Sequence, residues 1–213
     1  MFYFLVALVM GLTVHEASHA LIADRLGDPT ARRLGRITLN PIAHLDQMGT
    51  LMMIFAAIAG IGIGWGKPVP VNPYNLRIGP KRGMALVGLA GPLANLTLAT
   101  VVYLAVGSGL IPLKPGEPAT EVMLDVVNAI VSVNVSLAFF NLIPVPPLDG
   151  FSVLLGLLPD PLAYRLVRLE QYGLVLLLLL VFVGQRFIGA FISFFAMPYF
   201  TVIQQLALLL RSL

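Results

Sequence analysis

The sequence predicts an all-α membrane protein, a polytopic helical bundle of five to six transmembrane helices joined by short extended or re-entrant segments. Three observations carry that expectation. Apolar residues make up 58% of the 213 and charged residues 11%, with a mean hydropathy of +0.93, outside the range of ordinary soluble domains. The apolar residues fall in runs, several of them long enough to cross a bilayer. The 13 Lys and Arg residues lie between those runs, as spanning segments are flanked, and form no single basic stripe. The net charge of +3 and pI near 9.4 therefore point to a lipid bilayer and not to nucleic acid.

The first run, roughly Met1 to Ala23, has no Lys or Arg ahead of it and is read as a retained span, not a cleaved signal peptide. After it, residues 31–41 alternate weakly, as a short hairpin would. A second run, Met48 to Trp65, contains Gly60, Gly62 and Gly64 and is just long enough to cross. The prolines of Gly66-Lys67-Pro68-Val69-Pro70-Val71-Asn72-Pro73 force extended backbone, a form able to pair with a partner strand. The third run, Gly83 to Ile111, carries Gly88, Gly91, Pro92 and Asn95, and the fourth, Val122 to Ile143, ends in a proline cluster. Phe151–Leu158, Tyr172–Phe187 and Ile188–Leu210 follow, with Pro198 expected to mark a kink or break. Residues 1–213 read as one transmembrane domain, its motifs in 1–150 and further helices in 151–213.

Inside the first run stands His15-Glu16-Ala17-Ser18-His19, which uses two of the chain's three histidines. At helical spacing the two imidazoles project from one face and can take two corners of a tetrahedral zinc site, with Glu16 beside the attacking water. Polar helix packing is the competing reading, but ionisable groups within a membrane are costly and default to function. With no cysteine in the chain, any further ligand is His, Asp or Glu, and a catalytic zinc normally takes three.

His44 and Asp149 are the candidates for the third position. His44 is expected to stabilise its own Asn40-Pro41 loop. Asp149 ends Asn141-Leu142-Ile143-Pro144-Val145-Pro146-Pro147-Leu148-Asp149-Gly150, where prolines stop a span and Gly150 permits a turn that aims the carboxylate inward. A plain interfacial turn is the alternative for that segment.

The His-Glu-x-x-His motif together with the downstream Asn-x-x-Pro-x-Pro-x-x-Asp-Gly-like element resembles the site-2 protease family of intramembrane zinc metalloproteases, peptidase family M50. Leu39-Asn40-Pro41-Ile42-Ala43-His44-Leu45-Asp46, Lys67-Pro68-Val69-Pro70-Val71-Asn72-Pro73 and Gly91-Pro92-Leu93-Ala94-Asn95 resemble its compact bacterial and archaeal branch. The resemblance implies one Zn2+ per chain held by His15, His19 and Asp149, Glu16 as catalytic base, and Asn141 as a polar partner of the reacting carbonyl. It also implies a transmembrane protein substrate cut within or near its span. The setting implied is a prokaryotic cell membrane, with the active site near the cytosolic face and the N-terminus outside. PDZ and CBS domains, common in the family, are not read in these 213 residues. No oligomeric state is indicated.

Hydrolysis at membrane depth needs a polar cavity. Asn134 and Asn141, seven apart on one helical face, and Asn95, on a small-residue face with Gly88 and Gly91, are expected to line it. Two other functions remain open. A divalent metal transporter would place ligands along a path through several helices, and an inactive scaffold would tolerate loss of Glu16. Charge leaves orientation tied if 48–65 crosses, with Arg25, Arg32, Arg33 and Arg36 set against Lys67, Arg77, Lys81 and Arg82.

Overall fold

The computed structural model describes residues 2–59, 65–111 and 116–212. Helix α1 (Phe2–Arg25) has 24 residues, about 36 Å at the helical rise, which exceeds the thickness of a bilayer's hydrocarbon core. Its buried face is built of Ala7, Gly11, Ala20 and Ala23 together with Thr13, His15 and His19. Small residues let neighbouring backbones approach closely.

The chain turns at Gly27, φ +113°, into the short α2 (Thr30–Arg33). The hairpin expected over 31–41 does not form. The Arg36 amide donates to the Ala31 carbonyl and Gly35 adopts φ +67°, so the segment coils back on α2 instead of extending. A 3-10 turn at Pro41–Ala43 follows, capped by Asn40, whose side chain accepts from the Ile42 amide.

Helix α3 (Gln47–Ala59) has 13 residues, about 20 Å, short of a full crossing. Leu45 pairs antiparallel with Gly66, and the Lys67 amide donates to the His44 carbonyl at 2.7 Å. Leu45 and Gly66, which flank the 46–65 stretch, therefore sit side by side. Among the described residues the expected crossing Met48–Trp65 holds no helix long enough to span; Gly60, Gly62 and Gly64 lie outside the described residues. Residues 66–72 are non-helical, as their prolines demand, and Asn72 caps a second 3-10 turn at Pro73–Asn75.

Buried Asp28 ties these loops together. Its carboxylate accepts from Thr30 Oγ1 at 2.6 Å, the Asn72 amide at 2.7 Å and Asn75 Nδ2 at 2.8 Å. The Arg77 amide donates to the Leu26 carbonyl at 2.8 Å, so the end of α1 and the approach to the next helix share one face of the molecule.

Helix α4 (Pro80–Gly107) starts with proline at its first position after Gly79, φ +87°. It packs on α1, on α5 (Pro118–Asn141), on α6 (Asp149–Leu157) and on the last helix. It runs antiparallel to α1, since Asn95 reaches the Gly11 carbonyl while Leu98 and Val102 pack about Ala7. Helix α5 runs parallel to α1, with Ile130 and Val133 against Ala7 and Asn134 beside Gly11.

After α6 come α7 (Asp160–Leu166), a 3-10 stretch at Val167–Tyr172, α8 (Gly173–Phe182) and α9 (Gln185–Ser212). The last break falls at Val183-Gly184, ahead of the position expected from sequence. Pro198 lies inside α9 without ending it, because the helix is held through that point. Tyr199 Oη donates to the Leu96 carbonyl at 3.0 Å and lies 2.7 Å from Thr100 Oγ1, and Ala196 packs with Ala99, Val131, Val135 and Phe139.

Among the described residues there is no strand, and α1, α4, α5 and α9 are the four helices long and apolar enough to cross a membrane. Their outward surfaces carry exposed Phe4, Leu93, Val101, Phe194 and Val202, which suit lipid. The chain is an all-helical, multi-pass membrane protein.

Candidate metal centre

One helical turn of α1 brings His15 and His19 to the same side, both buried. The first residue of α6 brings Asp149 to meet them. The turn from Ile143 to Leu148, closed by the Val145 amide on the Ile143 carbonyl and the Leu148 amide on the Val145 carbonyl, aims α6 back into the bundle. Gly150 packs against the Leu142 carbonyl with no room for a Cβ, which accounts for glycine after Asp149. Lys81 of α4 fixes the far end of α6, donating to the Leu158 carbonyl and pairing with Asp160 at 2.7 Å.

His15 Nε2 lies 3.0 Å and His19 Nε2 3.3 Å from Asp149 Oδ2. What lies behind the rings decides what these atoms are. His19 Nδ1 is 2.6 Å from the Val87 carbonyl, which only accepts, so Nδ1 carries the proton. For His15 the assignment runs through three helices. Asn134 Nδ2 donates to the Ile130 carbonyl at 2.8 Å, which turns Asn134 Oδ1 toward Asn95 Nδ2 at 2.7 Å. Asn95 Nδ2 also donates to the Gly11 carbonyl at 2.9 Å, so Asn95 Oδ1 faces His15 Nδ1 at 2.6 Å and accepts its proton.

Both imidazoles thus spend their Nδ1 protons outward and point Nε2 lone pairs inward at a carboxylate oxygen. That oxygen, Asp149 Oδ2, is buried and has no hydrogen-bond donor. Three acceptors converging in this way repel one another unless a cation lies among them. Their ligand atoms fall within 4.8 Å of one another, and His15, His19 and Asp149 are the group that could hold a metal ion among the described residues. Two nitrogens and one oxygen form a donor set that suits a catalytic zinc site with an open fourth position. Outward Nδ1–H bonds to carbonyl-type oxygens are the usual support for such ligands.

Gly91 makes the site possible. A Cβ there would lie 2.5 Å from His19 Nε2 and 2.6 Å from His15 Cε1, so α4 passes directly against the rings.

The group opens onto a cavity of about 400 Å³ whose walls include Glu16, Trp65, Pro68, Phe140, Asn141 and Asp149. Glu16 and Asn141 line the same cavity as the three converging side chains, and Asn141 Nδ2 is spent on the Leu137 carbonyl of its own helix at 2.9 Å. Asn95 and Asn134 do not line the cavity as expected. Both are fully buried and form the relay behind His15. His44 lies apart, its Nε2 2.8 Å from the Thr38 carbonyl, within its own loop as anticipated.

Arg36 is a residue that sequence reasoning passed over. Buried, it donates through Nη1 to the Pro68 carbonyl at 3.2 Å and through Nη2 to the Lys67 carbonyl, which fastens the extended segment beside Glu16. Burial pulls the guanidinium down from its ordinary value, and the charge of Glu16 acts against that shift. In sequence nothing separates Arg36 from Arg32 or Arg33, which stay exposed.

The fold and site define a multi-pass helical membrane protein with a metal-competent His-His-Asp group. Peptidase family M50 matches residues 106–182. The chain is 36% identical over 185 residues to "Putative zinc metalloprotease YwhC" of Bacillus subtilis (strain 168), covering 84% of this chain and 79% of that protein. It is 32% identical over 182 residues to "Putative zinc metalloprotease Rip2" of Mycobacterium tuberculosis (strain ATCC 25618 / H37Rv), covering 81% of this chain and 63% of that protein. It therefore spans under two thirds of the length of that Rip2 relative. No solved structure matches. The chain belongs to peptidase family M50.

Proposed function

We propose that this chain is an intramembrane zinc metalloprotease that hydrolyses peptide bonds within or near transmembrane segments of other proteins. The observation that carries the reading is the convergence of His15 Nε2, His19 Nε2 and Asp149 Oδ2 at 3.0 and 3.3 Å inside a bundle of membrane-spanning helices. The names of the relatives, zinc metalloproteases both, support zinc as the ion. His15, His19 and Asp149 are its ligands. Zinc supplies Lewis acidity, which polarises a scissile carbonyl and acidifies the attacking water.

The remaining work falls to side chains. Glu16, on the cavity wall, takes the proton of the attacking water and returns it to the leaving amine. Asn141 sits on the same wall, and a rotation that frees its amide from Leu137 would let it donate to the developing oxyanion. Asn95, Asn134 and the Val87 carbonyl hold the imidazoles in the tautomer that keeps Nε2 free.

Four full crossings, fewer than the five or six expected, are supported by the four long apolar helices among the described residues and by the meeting of Leu45 with Gly66. The sequence tie in charge then disappears. Arg25, Arg32, Arg33, Arg36, Lys67, Arg77, Lys81 and Arg82 gather at one end of the bundle, the end toward which His15 and His19 lie on α1. Positive loops mark the cytosolic face, so the site lies near the cytosol and Phe2 on the opposite side of a prokaryotic cell membrane.

The test is cleavage of a single-span reporter by purified protein with and without Glu16→Gln. Cleavage lost with metal retained supports the protease. Cleavage unchanged by Glu16→Gln removes the catalytic role, and metal flux across vesicles without cleavage supports transport.

A further inference from the structure

A second cavity, of about 560 Å³, lies between α1, α5 and α9, walled by Phe4, Leu8, Ser132, Ser136, Phe140 and Ile192. Leu137 and Phe140 belong to its wall and also to the wall of the metal-site cavity. The groove is thus separated from the metal-site cavity by the side chains of these two residues. Its α5 side also carries Asn128, which with Ser132 and Ser136 sits at four-residue intervals and forms one stripe along the helix.

All three of these side chains are exposed, on a helix apolar enough to span a membrane. None of them makes a side-chain hydrogen bond among the described residues. Most other hydroxyls in the spans are satisfied, Ser193 of α9 excepted: Thr13, Ser18, Thr97, Thr100 and Thr201 each donate to the carbonyl four residues back. Free donors facing hydrocarbon have no water to bond. A stripe of them in a groove that shares a wall with the metal-site cavity suits a partner that brings unpaired carbonyls.

Resting on the protease reading above, we propose that this groove is the docking surface for the substrate's transmembrane segment. The segment lies along α5, and Asn128, Ser132 and Ser136 donate to backbone carbonyls released as its helix unwinds toward Asp149. Unwinding in lipid is opposed chiefly by the loss of those intrahelical bonds, and the stripe replaces them where the path turns inward at Phe140.

The absence of cysteine from the chain makes the test direct. Ser132→Cys or Ser136→Cys is placed in the Glu16→Gln background and co-expressed with a single-span reporter that carries one cysteine in its apolar segment. Thr97→Cys, exposed on α4 at a similar depth, is the comparison. On oxidation of the membranes, disulfide adducts from positions 132 and 136 are expected to exceed those from 97 by about tenfold, as proximity dictates. Ser136→Trp, which fills the groove, is expected to slow reporter cleavage by about tenfold with zinc content unchanged. If the intact protein cuts the reporter but adducts are equal at 97, or absent from 132 and 136, the docking surface is overturned and the protease reading stands. A reporter left whole by the intact protein overturns both.

Discussion

His15 Nδ1 and Asn95 Oδ1 lie 2.6 Å apart, and that contact determines which nitrogen of His15 faces Asp149. The orientation of Asn95 is set by Asn134 and the Gly11 carbonyl, so three helices vote on one tautomer. Asn95→Ala removes the acceptor and leaves the His15 ring free to turn. Zinc affinity, measured by competition with a chelator, is expected to fall about 10–100-fold. An unchanged affinity would show that the relay only packs helices.

Gly91→Ala tests the close passage of α4. The added Cβ would sit 2.5 Å from His19 Nε2, and neither the helix nor the ring can retreat without breaking the Val87 contact. Overpacking of this kind costs about 1–3 kcal/mol, here taken out of the metal geometry. Elemental analysis of the purified variant is expected to find little zinc. Full occupancy would mean that the rings are not held where the structure has them.

Asp28 gives a pH dependence distinct from that of the metal site. Burial pushes its carboxyl up, but hydrogen bonds from Thr30, Asn75 and Asn72 outweigh burial and hold it below the ordinary aspartate value of 3.8. A depressed folded value means that the stabilisation is fully present above that ordinary value and is lost as pH falls through the folded one. Thermal stability in detergent should therefore show the full, pH-independent contribution of Asp28 between pH 7 and 5 and a decline below about pH 4. Asp28→Ala, which strands its donors, should cost on the order of 2 kcal/mol at neutral pH and abolish that acid limb. An acid limb that survives Asp28→Ala would assign it elsewhere.

The four-crossing arrangement predicts that reporters fused after Leu213 and in the loop near Gly35, ahead of the 48–65 segment, report opposite sides of the membrane. Helix α9 runs from the Phe139 end of α5 to Ala207 beside Gly107, so its end returns to the side of Phe2. Like signals from the two fusions would restore an odd number of crossings.

Much of this was legible in the residues, and the exceptions have physical reasons. The spacing of His15, Glu16 and His19 fixes a helical face, and the proline turn before Asp149 fixes a return, so the three metal-competent side chains could be named without coordinates. The second run misled because apolar length does not say where a segment's ends lie. That depends on the pairing of Leu45 with Gly66, a long-range contact that hydropathy does not encode. Asn95 and Asn134 read as cavity polar groups because a buried amide in a membrane suits either water or another amide, and only the packing at Gly11 decides. Arg36 was hidden among neighbouring basic residues whose shared role in topology masks its burial.

X-ray absorption at the zinc edge of purified protein, compared with Asp149→Ala, tests the central claim most directly. One zinc per chain is predicted, with two imidazole nitrogens and a carboxylate oxygen at about 2.0–2.2 Å, and a shell that loses its carboxylate or the metal itself in Asp149→Ala. Protein that binds no zinc, or a shell indifferent to Asp149→Ala, would contradict the account.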